Sequence, residues 1–230
     1  MAGKNKLKKF AEITSFPNVL EAFTFEDGLL HINDREMVRM KGQWGADFFG
    51  NSGPICLELA CGKGEYSIGL AKLHPDRNYI GMDIKGNRIW RGARHALENE
   101  LSNVGFLRSR IEFINHYFAE DEIAEIWIVF PDPFLRARDE NRRLTSIPFL
   151  DRYSDLLKNG AKLHLKTDSQ ELFDFTVETI QEHPQFRLES VIPDVDLSER
   201  SPELSIQTFY ERKHLRDGKS IKYIRAHFEK

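Results

Sequence analysis

The chain has 230 residues, of which 40% are hydrophobic and 30% charged, a normal balance for a globular protein with one sizeable core. The formal net charge of −3 disfavours a uniformly basic nucleic-acid-binding protein, and the two cysteines form no CxxC pair that would indicate a disulfide framework or a zinc site. Because the charged start and the absence of long apolar runs exclude a secretory signal and a membrane span, we expect a cytoplasmic protein that binds neither membrane nor metal.

Short apolar runs alternate with stretches of helical periodicity along most of the chain. Strands are predicted at 54–59, 78–83, 104–108, 125–130 and 161–167, and helices at about 33–49, 65–74, 86–101, 147–160 and 169–183. This alternation predicts an α/β fold with a mostly parallel, doubly wound sheet. We expect residues 1–30 to form a basic N-terminal arm and lead-in, followed by a single domain at 31–230.

The C-terminal region carries a different signal. The pair Asp217-Gly218 is a turn signal between 208–215 and 219–228, and both flanking segments are candidates for extended structure. We therefore predict an antiparallel hairpin at the C-terminus.

Basic residues are clustered although the total charge is negative. A nucleic-acid partner requires a basic face rather than a basic total, so each cluster is either a phosphate contact or solvated surface. The clusters are Lys4, Lys6, Lys8 and Lys9; Arg136, Arg138, Arg142 and Arg143; and Arg212, Lys213 and Arg216. Arg88, Arg91 and His95 also share a predicted helix face, which by itself favours ordinary solvated surface.

Two carboxylates and a glycine turn follow the first two predicted strands. Glu58 lies just before the turn that follows the first strand, Asp83 ends the second strand, and Gly62 and Gly64 lie in the turn of LELACGKG. Ligands bind at this edge of parallel sheets, glycines permit close backbone approach, and a carboxylate can accept from both hydroxyls of a ribose. The layout serves nicotinamide dinucleotides and S-adenosylmethionine alike. Ser67 in place of a third glycine, and the attraction between Glu58 and a sulfonium or ammonium group, favour S-adenosylmethionine.

An acidic residue lies between two prolines after the strand at 125–130. Pro131 and Pro133 each fix a backbone angle, so Asp132 is held with little freedom near the expected ligand edge. The arginines that follow suit a substrate that carries phosphate groups.

These motifs together resemble the bacterial tRNA (guanine-N7)-methyltransferase family. The resemblance covers most of the chain and includes KNKLKKFAE, LELACGKG, GMDIKG, FPDPFLRARDENRRL, LHLKTD and TFYE, in this order. It implies a Rossmann-like class I methyltransferase fold. It also implies transfer of a methyl group from S-adenosylmethionine to N7 of the guanine at position 46, in the variable loop of tRNA. The sequence is compatible with either a monomer or a homodimer.

The resemblance also implies roles for individual residues. Glu58, Gly62, Gly64, Asp83 and Asp132 match cofactor-binding positions, and Asp132 matches the catalytic position between methyl donor and base. The substrate-binding positions are matched by Arg136, Asp168, Thr208 and Glu211.

Some positions depart from the family pattern. Ala60 stands where the family has a glycine, which is tolerable if the backbone there needs no positive φ. Phe134 replaces a tryptophan and either stacks on the base or packs in the core. Arg110 replaces an acidic or amide residue, which puts a side-chain contact to the cofactor in doubt.

Other functions remain open at this level. A nicotinamide-dependent oxidoreductase would use the same turn together with Asp83, and a methyltransferase acting on a small molecule or another RNA would keep the whole cofactor site. A non-catalytic RNA-binding module would account for the basic clusters but would leave Glu58, Asp83 and Asp132 without a role.

Overall fold

A computed structural model describes the backbone of residues 2–24, 27–33, 36–195 and 201–230, with side chains from Leu7 onward. The chain divides into two compact units, Met1–Ala119 and Glu120–Lys230. Each unit combines strands and helices, which confirms the predicted α/β class.

The first unit places its helices between parallel strands. Its elements are α1 (Ala2–Ile13), β1 (Val19–Glu21), β2 (Leu30–Ile32), β3 (Glu36–Val38), a π-helix (Trp44–Phe49), β4 (Ile55–Leu59), α2 (Glu65–Leu73), β5 (Asn78–Asp83), α3 (Gly86–Glu98), β6 (Val104–Arg108) and a 3-10 helix (Ile111–His116). The strand order is β3-β2-β1-β6-β5-β4, with β1, β6, β5 and β4 parallel to one another and β2 and β3 antiparallel to their neighbours.

The strands predicted at 54–59, 78–83 and 104–108 are confirmed as β4, β5 and β6. Every residue of β4 and β5 is buried, as expected for parallel strands covered on both faces. Because α2 and α3 follow β4 and β5, the turns that precede these helices lie at the carboxyl ends of the strands. This edge carries the predicted ligand residues of the unit.

The helix predicted at 33–49 is wrong. The segment contains strand β3 and, after Gly42 with a φ of +78°, the π-helix Trp44–Phe49. Contacts of Trp44 account for the π-helix in the second half of this segment. The Trp44 side chain is fully buried, its Nε1 donates to the carbonyl of Tyr117 at 2.8 Å, and its ring stacks on Phe118. Tertiary packing around one indole therefore overrides the regular periodicity.

The N-terminal segment joins the first unit through α1 and β1. The Lys9 ammonium lies 4.3 Å from the centre of the Trp90 ring of α3, and Ile13 and Leu20 are fully buried. Strand β1 extends the parallel part of the sheet beside β6.

The second unit contains a mixed sheet. Its elements are β7 (Ile123–Val129), a 3-10 helix (Ala137–Arg142), α4 (Ile147–Ser154), β8 (Leu157–Thr167), α5 (Gln170–Glu182), β9 (Phe186–Ile192), α6 (Phe209–Arg216) and β10 (Lys222–Phe228). The order is β7-β8-β10-β9, with β7 and β8 parallel and the other pairs antiparallel. The strands predicted at 125–130 and 161–167 are confirmed, and Ser169 caps α5 by accepting from the backbone N–H of Leu172 at 3.2 Å.

The helix predicted at 147–160 is too long. It ends at Ser154, and Gly160, expected as its C-terminal cap, lies within strand β8 with a φ of +79°. Leu157 pairs with Ile123 of β7, so a hydrogen-bonded ladder continues the strand where local periodicity favours helix.

The antiparallel C-terminal hairpin is confirmed, but with different strands from those expected. It is formed by β9 and β10, whereas the segment 208–215, expected to be extended, contains most of α6. Thr208 caps this helix by accepting from the backbone N–H of Glu211 at 3.1 Å. The motif T-x-x-E is thus a helix start, and the turn at Asp217-Gly218 follows a helix instead of a strand.

Candidate active site

Glu58 lies at the carboxyl end of β4 and is buried, with 4% of its surface exposed. Its Oε2 accepts from the backbone N–H of Ser67 in the first turn of α2 at 2.7 Å, and also from the Ser67 hydroxyl. Among the described residues no donor contacts Oε1. Glu58 therefore holds the helix start with one oxygen and keeps the other as an acceptor.

Asp83 ends β5 and ties two turns together. Its Oδ2 accepts from the backbone N–H of Gly62 at 2.9 Å, and its Oδ1 accepts from that of Lys85 at 2.8 Å. Each carboxylate oxygen can accept a second hydrogen bond, so these contacts leave capacity for hydroxyl donors. Asp83 is only 6% exposed, so both turns are fixed around a buried negative group.

The glycines of the turn serve different purposes. A Cβ on Gly64 would lie 2.4 Å from Cε1 of Phe106, so the turn approaches the β6 ring more closely than any other residue would permit. A Cβ on Gly62 would meet no atom of the described residues closer than the Ala60 carbonyl oxygen at 4.0 Å. The space over Gly62, beside the Asp83 carboxylate, is therefore open.

Ala60 adopts the left-handed conformation, with a φ of +56°. The condition under which alanine is tolerable at this position, a backbone without positive φ, is therefore not met. A Cβ in this region is crowded by the neighbouring carbonyl oxygen. The turn therefore carries local strain at Ala60.

Ala60→Gly is expected to raise the free energy of unfolding by up to about 1 kcal/mol. Relief of the left-handed strain contributes about 1–2 kcal/mol, and the greater freedom of glycine in the unfolded chain offsets part of it. Urea unfolding measures the change as a higher midpoint at constant slope. As a control of opposite sign, Gly62→Ala, at a φ of +57° with open space around it, should destabilise the fold. A destabilised Ala60→Gly protein would contradict the strain.

The electrostatics of the turn suit a cation. Burial, together with a smaller contribution from the nearby Asp83 carboxylate, raises the pKa of Glu58 to about 8 against the hydrogen bonds from Ser67. A ligand with positive charge would return this carboxyl to its ionised form. The residues present therefore fit S-adenosylmethionine. Within the described part of the chain, Oε1 of Glu58 accepts from no donor and the space over Gly62 is open, and the carboxylate of Asp83 can accept from ribose hydroxyls.

In the second unit, Asp132 lies in an exposed loop after β7 that is held from both ends. Its Oδ1 accepts from the backbone N–H of Phe134 at 3.2 Å, and Phe130 and Phe134 on either side have φ values of +49° and +43°. Arg143 donates to the carbonyls of Pro133 and Phe134 at 3.1–3.3 Å. The Asp132 backbone is therefore fixed by strained flanking residues and a buried guanidinium.

The role expected for Arg143 as a phosphate contact is wrong, because its side chain is buried. It lies over the Phe175 ring at 4.4 Å and pairs with Glu171 at 3.2 Å. Arg136, Arg138 and Arg142 of the same cluster are exposed. The Arg142 guanidinium lies 4.4 Å from the centre of the Phe134 ring, so one face of that half-buried ring is covered.

Asp168 follows β8 and takes part in a polar cluster with α6. Its Oδ2 accepts from Lys219 Nζ at 2.5 Å and lies 3.4 Å from Nδ1 of His214, whose ring stacks on Phe130 with centroids 5.7 Å apart. Because β7 and β8 are parallel, Asp132 and Asp168 follow strand ends at the same edge of this sheet.

Thr208 and Glu211 are largely buried. Thr208 caps α6, and Oε2 of Glu211 accepts from Lys166 Nζ at 2.8 Å. Lys166 is fully buried and also donates to the carbonyls of Leu204 and Ile206 at 2.9 and 3.1 Å. These two motif residues hold α6 in place.

The structure brings Glu58, Gly62, Gly64 and Asp83 together in the first unit. In the second it groups Asp168, Thr208 and Glu211 around α6, with Asp132 and Arg136 in the loop after the neighbouring strand. Sequence reasoning gave no role to Lys166, although a lysine within the apolar run LHLKT is a signal of a buried partner. Arg110 is exposed at the start of a 3-10 helix.

Two further features concern other kinds of function. Among the described residues, no helix combines the length and apolar character needed to cross a bilayer. In the same part of the chain, no three His, Cys, Asp or Glu side chains are grouped so as to hold a metal ion.

Comparison with solved structures supports the fold. The chain is similar to the 16S rRNA methyltransferase KamB, with a TM-score of 0.63 at 13% identity over 85% of this chain and 97% of that one. It is also similar to an S-adenosylmethionine-dependent methyltransferase from Aquifex aeolicus, with a TM-score of 0.53 at 14% identity over 78% and 85% of the two chains. The Rossmann-like methyltransferase fold is therefore confirmed.

Sequence comparison identifies the family. Residues 52–224 match a family model described as putative methyltransferase. The chain is 44% identical to the tRNA (guanine-N(7)-)-methyltransferase of Christiangramia forsetii over 98% of both chains. It is 43% identical to the enzyme of the same name from Bacteroides thetaiotaomicron over 97% of this chain and 85% of the relative. Similarity of this extent, over nearly the full length, shows that the chain belongs to the tRNA (guanine-N(7)-)-methyltransferase family.

Proposed function

We propose that this chain transfers a methyl group from S-adenosylmethionine to N7 of the variable-loop guanine of tRNA, at position 46, in the cytoplasm. The main structural support is the pair of buried carboxylates, Glu58 and Asp83, around an open glycine turn in a chain of this family.

The first unit would bind the methyl donor. Glu58 would attract its positively charged part through Oε1, and Asp83 would accept from its ribose hydroxyls while its existing bonds hold the turn in shape. Gly62 and Gly64 would allow close backbone approach. When bound, S-adenosylmethionine supplies a methyl group activated by the adjacent sulfonium.

Asp132 would act on the guanine as a catalytic residue. Guanine N7 carries a lone pair and no proton, so the residue is not required as a base. A carboxylate can accept from the N1–H and N2–H groups of guanine, which orients the base and discriminates against other bases by about 1–3 kcal/mol. Its negative charge also favours the positive charge that develops on the purine. We also propose that Asp132 contacts the methyl donor.

The remaining motif residues would bind the rest of the substrate. Arg136 is exposed in the loop that follows Asp132, where it is able to reach a phosphate or sugar. Asp168 lies beside the Lys219 ammonium and the His214 imidazole at the edge of the same sheet. Thr208 and Glu211 would contribute by holding α6, whose first two residues, Phe209 and Tyr210, are 44% and 45% exposed.

The reaction is tested by mass spectrometry of nucleosides. Unmodified tRNA is incubated with the protein and the methyl donor, then digested, and 7-methylguanosine is measured. A tRNA with adenosine in place of the variable-loop guanosine serves as the control and should yield none. If methylation occurs at another nucleoside, or tRNA is left unchanged, the proposed reaction is wrong.

Affinity for S-adenosylmethionine is expected to increase with pH. The pKa of Glu58 is about 8, so near neutral pH the free protein must release a proton before the carboxylate can pair with a cation. The apparent affinity should rise by up to about tenfold per pH unit below pH 8 and then level off. Calorimetry in two buffers of different ionisation enthalpy should detect the released proton. A pH-independent affinity with no proton release would contradict this role of Glu58.

The same pKa has a consequence for stability. The ordinary value of 4.5 is raised in the folded state, so the folded protein retains a proton that the unfolded chain releases. The contribution of this proton to the free energy of unfolding is fully present below pH 4.5 and is lost as the pH rises through about 8. Glu58→Gln, which cannot ionise, should therefore be more stable than the wild type at pH 8 but bind S-adenosylmethionine poorly.

A further inference from the structure

Helix α3 presents a ridge of basic residues that the proposed function has not used. Arg88, Arg91 and His95 are spaced three and four positions apart, which places them along one side of the helix. Arg91 and His95 are exposed and Arg88 is half-buried. We call these three residues the α3 ridge. Lys72 of α2 extends it sideways, with its Nζ 3.5 Å from Nε2 of His95.

The α3 ridge begins next to the glycine turn. Helix α3 follows Asp83 after a short turn, and Gly92 in the middle of the helix packs against the turn. A Cβ on Gly92 would lie 2.5 Å from the Lys63 carbonyl oxygen, so only glycine permits this approach. A substrate at the carboxyl ends of β4 and β5 therefore has the α3 ridge within the same unit, beside the proposed cofactor turn.

The ridge arginines differ from Arg94 on the same helix. Arg94 pairs with Glu98 at 2.7 Å and lies over the Trp90 ring at 5.2 Å, so its charge is compensated within the protein. In the described part of the chain, no carboxylate lies within ion-pair distance of the Arg88 or Arg91 guanidinium. Their charges are therefore available to an external anion.

The spacing of the α3 ridge suits a repeating anion. Arg88 and His95 are separated by seven residues, or about 10 Å along the helix axis. Successive phosphates of one strand lie a few ångströms apart along a nucleic-acid helix, about 3.4 Å in duplex DNA, so this length spans about three phosphates. Guanidinium groups bind phosphate with paired hydrogen bonds, and a rigid helix presents them in a fixed line.

We propose that the α3 ridge binds the phosphate backbone of the tRNA substrate. This inference rests on the proposed function, because it takes tRNA as the partner. It adds a contact surface in the first unit to the loop and α6 positions of the second. The ridge would hold the tRNA without contacting the reacting atoms, so its loss should appear in tRNA affinity and in KM for tRNA.

The test compares Arg88→Ala/Arg91→Ala with the control Arg94→Ala. Binding of labelled, unmodified tRNA is measured by fluorescence anisotropy between about 50 and 200 mM salt. The double variant should bind at least about 10-fold more weakly near physiological salt. Its log–log salt slope should be shallower by about 1.4–1.8, the loss expected for two phosphate contacts. The control should keep the affinity and slope of the wild type.

Unchanged affinity and slope in the double variant would overturn the proposal. Calorimetry with S-adenosylmethionine shows whether the neighbouring turn is intact. If the alanine variant loses cofactor binding, the test is repeated with Arg88→Gln/Arg91→Gln, which keeps long polar side chains at both positions. Its tRNA affinity and salt slope are then compared with those of the wild type in the same way. If the double variant binds tRNA more weakly than the wild type, but the wild type forms no 7-methylguanosine, the proposed function is wrong and this inference stands. If the wild type forms 7-methylguanosine but the double variant binds tRNA as tightly as the wild type, this inference is wrong and the proposed function stands.

Discussion

Asp132→Asn is expected to lower kcat for tRNA methylation by about 10²–10³-fold, the loss typical of removing one group that stabilises charge in a transition state. Asparagine keeps the size of the side chain and the oxygen that accepts from the Phe134 N–H, so the loop should retain its shape. The substitution removes the negative charge and replaces one acceptor with a donor. A loss of turnover would therefore report on the charge and on the contact to guanine.

The structure explains why this carboxylate should be sensitive to substitution. The loop carries left-handed backbone at Phe130 and Phe134 and is held by the buried Arg143. Such strain is retained only where the surrounding contacts enforce it, and it often marks a functional site. A carboxylate held in this way is preorganised for the charge that develops on the purine.

Single-turnover measurements with saturating tRNA and methyl donor isolate the chemical step. Asp139→Asn is a matched control, because Asp139 lies in the same segment and contacts Arg142 at 3.2 Å. It should stay within about twofold of the wild type, as expected for an exposed ion pair. Wild-type turnover in a folded Asp132→Asn protein would remove Asp132 from the mechanism.

The central strands could be predicted closely because their residues satisfy one simple requirement. β5 and β6 lie where the apolar runs 78–83 and 104–108 predict them, since parallel strands are buried on both faces. The errors occur where a distant partner decides the structure. β8 begins at Leu157 because Leu157 pairs with Ile123 of β7. The local pattern of residues 147–160 carries no information about this distant strand.

The site could be predicted only in part for the same reason. Glu58 and Asp83 were identifiable because they end strands beside a glycine turn. The hydrogen bonds from Ser67 and the left-handed backbone of Ala60 depend on the folded geometry of that turn. The burial of Arg143 depends on the Phe175 ring, which is distant in sequence. The other arginines near Arg143 in the sequence instead favour the prediction of an exposed position.

Lys166→Met is expected to lower the free energy of unfolding by about 3–5 kcal/mol, the cost typical of breaking a buried ion pair by removing one of its two partners. Lys166 is fully buried and Glu211 is 1% exposed, and their charged atoms lie 2.8 Å apart. The variant would also remove the donor to the Leu204 and Ile206 carbonyls. Urea unfolding measures the loss. Lys162→Met, at an exposed position of the same strand, should change stability by less than about 0.5 kcal/mol.

The double variant Lys166→Met/Glu211→Met separates the structural role of Glu211 from direct substrate contact. Replacing both charged groups with apolar side chains removes the buried carboxylate together with the ammonium, so much of the lost stability should return. The part due to the Leu204 and Ile206 carbonyls, which lose their donor, should stay lost. If Glu211 acts by holding α6, tRNA affinity should return together with stability, because a buried carboxylate is not required to touch the RNA. If the double variant regains stability but still binds tRNA more weakly than the wild type, Glu211 contacts the substrate directly.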